Sequence, residues 1–152
     1  MLNIFVDADG CPVKEEIYRV AARCCVKVTL VSNKPVRHPA NPLFSSKVVS
    51  GNFDSADDWI VDNASLDDIV ITTDIPLASR CLEKGARVLN PNGRIFTKET
   101  IGEAMATREL LSNLRDSGIV TGGPAPFKPK DRSLFLHNLQ EIIQAIKRKA
   151  AR

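Results

Sequence analysis

The chain has 152 residues, of which 43% are hydrophobic and 26% are charged. These values are ordinary for a globular protein and exclude a disordered, collagen-like or coiled-coil chain. The longest apolar runs, such as Ile69–Ile71, are too short to cross a bilayer. The first residues lack a basic segment and include Asp7, where a signal peptide would stay apolar. The sequence therefore predicts a cytoplasmic protein with no membrane partner.

Length and charge predict one domain with a basic end. A chain of this size favours a single domain, placed at residues 1–148, with a basic tail at 149–152. The net charge is +3, and the segment from Lys128 to Arg152 carries seven basic and two acidic residues. Such a segment fits a polyanionic partner. It also fits a solvated helix face and a frayed tail, which is the interpretation that charge alone favours.

The cysteines favour reduced thiols. Four are present, and none forms a CxxC pair. His38 and His137 lack the spacing of zinc ligands, so a structural zinc site is not expected.

Hydrophobic patterning predicts strands that alternate with helices. The predicted strands are residues 2–6, 26–31, 47–49, 69–73 and 87–89. The predicted helices follow Pro12 as far as Cys24 and then cover 55–64, 75–84, 97–115 and 131–148. Strands alternating with helices favour parallel pairing. The expected fold is α/β, a doubly wound and mainly parallel sheet flanked by helices, with two longer C-terminal helices.

Acidic residues follow two of the predicted strands. Asp7 and Asp9 come after the first strand, Asp74 comes after the fourth, and Asp57 and Asp58 lie in the first turn of the helix between them. The first and fourth strands should be neighbours at the switch point of such a sheet, where binding sites form. Carboxylates that converge repel one another, and a bound cation removes that penalty. Oxygen ligands with little His or Cys nearby suit Mg²⁺ or Mn²⁺.

Each acid except Asp7 also has a purely structural interpretation. Asp74 is positioned to cap the helix that carries Pro76 in its first turn. Asp58 completes a possible capping box with Ser55, and Asp9 could hold the turn before the next helix. Taken singly these acids favour capping, and taken together, in this order, they favour a metal site.

Several motifs, taken in order, resemble the YaiI/YqxD family of bacterial proteins over about residues 1–143. The motifs are Val6-Asp7-Ala8-Asp9-Gly10-Cys11-Pro12, Phe53-Asp54-Ser55-Ala56-Asp57-Asp58, Ile71-Thr72-Thr73-Asp74-Ile75-Pro76-Leu77-Ala78, Asn90-Pro91-Asn92-Gly93, Thr121-Gly122-Gly123-Pro124 and Lys130-Asp131-Arg132. The resemblance implies a PIN-like fold, related to the PIN and NYN nuclease domains. In those domains, acids at strand ends hold Mg²⁺ or Mn²⁺ and cleave RNA or flap-like DNA. On this resemblance Asp7, Asp9, Asp57 and Asp74 are the expected metal ligands and catalytic residues.

Basic and glycine-rich positions supply candidates for phosphate binding. Arg108 falls on the apolar line of its helix, where an arginine either pairs with an acid or phosphate or extends its head group to solvent. Gly122 and Gly123 could form a backbone nest for a phosphate, or an ordinary turn. Lys128 and Arg132 lie close by in sequence and could complete an anion-binding rim.

Three functions compete. The first is a metal-dependent nuclease that hydrolyses RNA or single-stranded nucleic acid, with one ion generating hydroxide and a second stabilising the leaving oxygen. The second is a non-catalytic nucleic-acid-binding module. The third and least favoured is a haloacid-dehalogenase-like phosphatase using Asp7 as nucleophile. That class needs a later acidic pair after a strand, whereas Asp67 and Asp68 precede one.

Overall fold

A computed structural model describes residues 2–50, 55–118 and 126–151. The strands in these ranges are β1 (Asn3–Asp7), β2 (Lys27–Ser32), β3 (Phe44–Val48), β4 (Ile69–Ile71), β5 (Arg87–Leu89) and β6 (Ile95–Phe96). The helices are α1 (Lys14–Cys24), α2 (Ser55–Asn63), α3 (Ile75–Glu83), α4 (Lys98–Asp116) and α5 (Pro129–Ala150).

The strands form one sheet in the order β3-β2-β1-β4-β5-β6. The first five run parallel, and β6 pairs antiparallel with β5. The predicted α/β class with a mainly parallel sheet is therefore confirmed. The adjacency of β1 and β4, on which the predicted site depends, is also confirmed.

Helices cover both faces of the sheet. On one face, α1 and α5 pack through side chains such as Ile17 and Phe135 against Ile4 and Val6 of β1. On the other, α2, α3 and α4 pack against residues such as Val70. Because both faces are covered, β1 and β4 are apolar along almost their whole length. Their polar residues are confined to the strand ends.

The structure departs from the predicted elements mainly at the sheet edges. β3 begins at Phe44 rather than at 47, because Phe44 is the residue that pairs with Val28 and is buried. β6 was not predicted, since two residues are too short to carry a strand pattern. α5 continues through Ala150, so the helix includes the first residues of the predicted basic tail.

All four cysteines are free thiols, as expected. No helix within the described ranges is long and apolar enough to span a membrane.

Candidate functional site

The candidate site is built where β1 and β4 end side by side. Val6 pairs with Ile71 in the parallel register, so Asp7 lies beside Thr72. The hydroxyl of Thr72 donates a hydrogen bond of 2.9 Å to Oδ2 of Asp7. Two residues that are far apart in sequence are thus joined at the carboxyl edge of the sheet.

Thr72 also links this edge to α3. Its hydroxyl oxygen accepts a 2.9 Å hydrogen bond from the backbone N–H of Asp74, and its side chain is only 1% exposed. Because that N–H donates into Oγ1, the hydroxyl proton is directed to Asp7. Asp74 in turn caps α3, since its Oδ1 accepts a 2.9 Å bond from the N–H of Leu77. The predicted capping role of Asp74 is confirmed.

Asp9 is held in a similar way by the end of β2. The Ser32 hydroxyl donates to Oδ1 of Asp9 over 2.6 Å and accepts from the backbone N–H of Lys34 over 3.1 Å. Ser32 is 1% exposed, whereas Asp9 is exposed. Sequence reasoning missed both Ser32 and Thr72. The sequence gives only a weak indication of their role, because each is simply a polar residue at the carboxyl end of an apolar strand.

Hydrogen bonds hold Asp7, Asp74 and Asp9 at the carboxyl ends of the neighbouring strands β1, β4 and β2. Burial raises the pKa of the Asp7 carboxyl, and the negative charges of Asp74 and Asp9 raise it further. The hydrogen bond from Thr72 offsets part of this effect by favouring the ionised form. Asp7, Asp9 and Asp74 therefore lie near enough to one another for the charges of the other two to act on Asp7.

The other two acids lie on α2. Asp58 is exposed and forms an ion pair of 2.9 Å with Arg80 of α3. Asp57 is half-buried in the first turn of α2. Burial raises the pKa of the Cys81 thiol in α3 to about 11, and the charge of Asp57 adds to this shift. The structure thus places Asp57 against α3, the helix that Asp74 caps.

The carboxylates of the described residues do not form a closed metal cage. Within residues 2–50, 55–118 and 126–151, no three His, Cys, Asp or Glu side chains form a ready-made metal site. Among these same residues, Oδ1 of Asp7 and Oδ2 of Asp9 and Asp74 accept no hydrogen bond. Three oxygens of this edge therefore remain available for a ligand.

Arg108 is exposed, which agrees with the interpretation that an arginine on the apolar line of α4 extends its head group to solvent. The buried part of α4 consists of Ile101 and Ala104, and the helix beyond them lies at the surface. Arg108 therefore pays no burial cost. Its side chain lines a groove that also reaches Thr73, next to the carboxylates.

The other predicted anion-binding residues have different surroundings. Lys128 is exposed and lines a second groove, together with Gly10 and Thr73. Arg132 pairs with the buried Glu16, so its charge already has a partner. Its guanidinium also lies 5.0 Å from the ring centroid of Phe127.

The two glycines proposed as a phosphate nest, Gly122 and Gly123, lie outside the described residues. Asp67 and Asp68 precede β4, as the sequence predicts. Asp68 is buried and accepts hydrogen bonds from the N–H groups of Asn3 and Ser65. These two acids therefore lie at the opposite edge of the sheet from Asp7 and cannot join it in a phosphatase site.

Comparisons with known proteins agree on one family. A family model described as "Uncharacterized BCR, YaiI/YqxD family" matches residues 5–145. The matched residues include Asp7, Asp9 and Asp74, which we call the carboxylate edge. A UPF0178 protein of Rhodospirillum centenum is 51% identical, with 97% of this chain and 99% of the relative covered. A UPF0178 protein of Brucella ovis is 56% identical, with 95% and 91% covered. No solved structure matches. The protein belongs to the YaiI/YqxD family, because the family model spans nearly the whole chain and the relatives are similar over almost their full length.

Proposed function

We propose that this protein is a Mg²⁺- or Mn²⁺-dependent phosphodiesterase with a PIN-like arrangement, which hydrolyses RNA or single-stranded nucleic acid. The observation that carries the proposal is the clustering of Asp7, Asp9 and Asp74 at the carboxyl ends of adjacent parallel strands, where two of them raise the pKa of the third. In open α/β sheets this edge is where ligands bind. Mutually repelling carboxylates at such an edge are typical of a functional site.

The donor chemistry fits a hard divalent cation. Each of the three carboxylates has one oxygen engaged by a protein donor, namely Thr72, Ser32 or the N–H of Leu77. Mg²⁺ usually keeps several waters and binds through one or two carboxylates together with substrate phosphates. Asp57, at the start of α2, is a further candidate ligand by the family resemblance.

The chain's own residues prepare the site in two ways. Thr72 and Ser32 orient Asp7 and Asp9, because each hydroxyl accepts a backbone N–H and so directs its own proton to a carboxylate. Exposed cations, among them Lys128 and Arg108, lie in grooves on which a phosphate backbone could rest. A bound divalent cation would supply an activated water and neutralise charge on the phosphate.

A non-catalytic nucleic-acid-binding module is the second candidate. It is favoured by the lack of a ready-made three-ligand metal site among the described residues. The same carboxylate edge and basic grooves would then position a strand without cutting it.

Cleavage of a labelled single-stranded RNA in the presence of Mn²⁺ distinguishes these functions. We expect the wild type to cut, and Asp7→Asn to abolish cutting while circular dichroism and RNA binding persist. Asp62→Asn is the matched control, since Asp62 is an exposed acid in the last turn of α2. A wild type that binds RNA but never cuts it would establish the binding module. Equal cleavage by Asp7→Asn and wild type would refute the hydrolytic proposal.

A further inference from the structure

We infer that a groove between α4 and the start of α3 holds the sugar–phosphate backbone of a single nucleic-acid strand and leads it to the carboxylates. This inference rests on the proposed function and adds to it the path of the substrate. We call this the arginine groove, after Arg94, Arg108 and Arg115, which line it together with Thr73, Ile75 and Leu111.

The arginine groove opens directly beside the carboxylate edge. Thr73 lines it and is flanked in sequence by Thr72, which binds Asp7, and by Asp74. The groove volume is ≈ 640 Å³, which lies within the range of sites that hold small organic ligands. A strand lying in it therefore reaches Thr73, the residue between Thr72 and Asp74.

The charge of the groove is positive and unneutralised. Three arginines line it against one acid, Glu103. Arg80, Arg87 and Arg132 elsewhere each pair with a carboxylate, but across the described ranges no ion pair involves Arg94, Arg108 or Arg115. Guanidinium groups without a carboxylate partner are well suited to bind phosphates.

The spacing of the cations favours a strand over a single phosphate. Arg108 and Arg115 are seven residues apart on α4, which is roughly 10 Å along the helix axis at 1.5 Å per residue. Both are exposed. Arg94 comes from the turn before β6, where its guanidinium lies 5.1 Å from the ring centroid of Phe96. The three cations can therefore contact more than one phosphate.

The apolar lining favours single-stranded over double-stranded nucleic acid. Leu111 is 39% exposed and lines the groove together with Ile75. Such side chains can contact the faces of bases only where the bases are unstacked, as in a single strand. A duplex keeps its base faces stacked and would present only its sugar–phosphate backbone and the base edges in its grooves.

A second groove suggests where the strand continues. This lysine groove, ≈ 560 Å³ in volume, is lined by Gly10, Thr73, Lys128 and Lys130 among others. Thr73 lines both grooves, so a strand occupying the two would cross the carboxylate edge between them.

Fluorescence anisotropy with a labelled single-stranded RNA of roughly 12 nucleotides tests the inference, a length within the usual site sizes of single-strand-binding proteins. The titrations contain EDTA, so that binding is measured without cleavage. The test protein is the double variant Arg108→Gln, Arg115→Gln. The matched control removes the same number of charges elsewhere, by Arg19→Gln together with Arg148→Gln, since these exposed arginines of α1 and α5 do not line either groove.

We expect the double variant to bind more weakly, and its slope of log K against log salt to be shallower by about 1.4, because each lost phosphate contact removes about 0.7. The control should match the wild type, and duplex RNA should bind the wild type less tightly than the single strand. Equal binding by the double variant and the wild type would overturn the inference. So would equal losses in the double variant and the control, or competition by a mononucleotide as effective as that by the oligonucleotide.

The outcome is separate from that of the proposed function. A wild type that binds RNA and does not cut it with Mn²⁺ rejects the proposed nuclease activity, while the binding of the variants still tests the arginine groove. A wild type that cuts, with variants that bind normally, rejects the groove alone. A wild type that does not bind at all rejects the groove as well.

Discussion

The hydroxyl of Thr72 should contribute more to stability than its size suggests. It donates to the Asp7 carboxylate and accepts from the Asp74 N–H, both at 2.9 Å, and it is 1% exposed. Thr72→Val keeps the shape of the side chain and removes both bonds. A hydrogen bond to a charged group is worth about 1.5–3 kcal/mol, and an unsatisfied buried N–H costs about 1–3 kcal/mol. Asp74 is half-buried, so water recovers part of the second cost.

We therefore expect Thr72→Val to lower the free energy of unfolding by about 2–4 kcal/mol. Thr72→Ser is the matched control, because it keeps both hydrogen bonds and loses one buried methyl, at a cost of about 1 kcal/mol. For a chain of this size these values correspond to a Tm loss of about 4–16 °C for the valine variant and about 2–4 °C for the serine variant. Urea and thermal unfolding at pH 7 measure both. A valine variant as stable as the serine variant would refute the claim that this hydroxyl joins the two strand ends.

Three further predictions concern charge and packing. Asp7→Asn should raise the Tm at pH 7. Because the pKa of Asp7 is raised in the folded state, the protonated carboxyl contributes stability that is fully present below the unfolded value of 3.8. This stability is lost as the pH rises through the folded pKa. The gain should therefore vanish in thermal melts below about pH 4, and a gain independent of pH would contradict this cause. Arg132→Gln should lower the free energy of urea unfolding by about 1–3 kcal/mol, a value discounted for the half-exposed arginine. Glu16→Gln should cost less, because only Arg132→Gln leaves a buried carboxylate unpaired. The opposite order would contradict that reasoning. Phe135→Ala should cost about 3–5 kcal/mol in the same assay, since Phe135 is fully buried between α5 and the sheet, and a cost below about 1 kcal/mol would show that this face is loosely packed.

The sequence predicted the central fold well because β1 and β4 are buried on both faces. Continuous apolar runs such as Ile4–Val6 and Ile69–Ile71 leave no other interpretation, and their adjacency follows from the rules of doubly wound sheets. The strands at the edges of the sheet were harder to predict. β3 has only one buried residue, Phe44, and its pairing with β2 rather than its own pattern sets its start. Such a strand is defined by its neighbour.

The acids of the candidate site could be identified from the sequence, whereas the hydroxyl groups that bind them could not. Asp7, Asp9 and Asp74 follow apolar strands, which is a pattern visible in one dimension. Ser32 and Thr72 act through contacts that span 23 and 65 residues of sequence, and a lone hydroxyl carries no periodic signal. For Arg108 the sequence left two interpretations open, a paired arginine or one that extends to solvent. Its helical spacing was correct, but spacing alone could not reveal that α4 extends past the core at Ala104.

We propose that the carboxylates of Asp7, Asp9 and Asp74 serve one divalent cation. An anomalous difference map from a crystal soaked in Mn²⁺ would locate that cation. We predict a peak at the carboxyl edge of β1 and β4, about 2.0–2.6 Å from oxygens of Asp7 and at least one of the other two. We also predict that this peak is missing in Asp7→Asn crystals soaked in the same way. A fully soaked wild-type crystal with no peak at this edge, or with these side chains directed away from one another into solvent, would contradict the account.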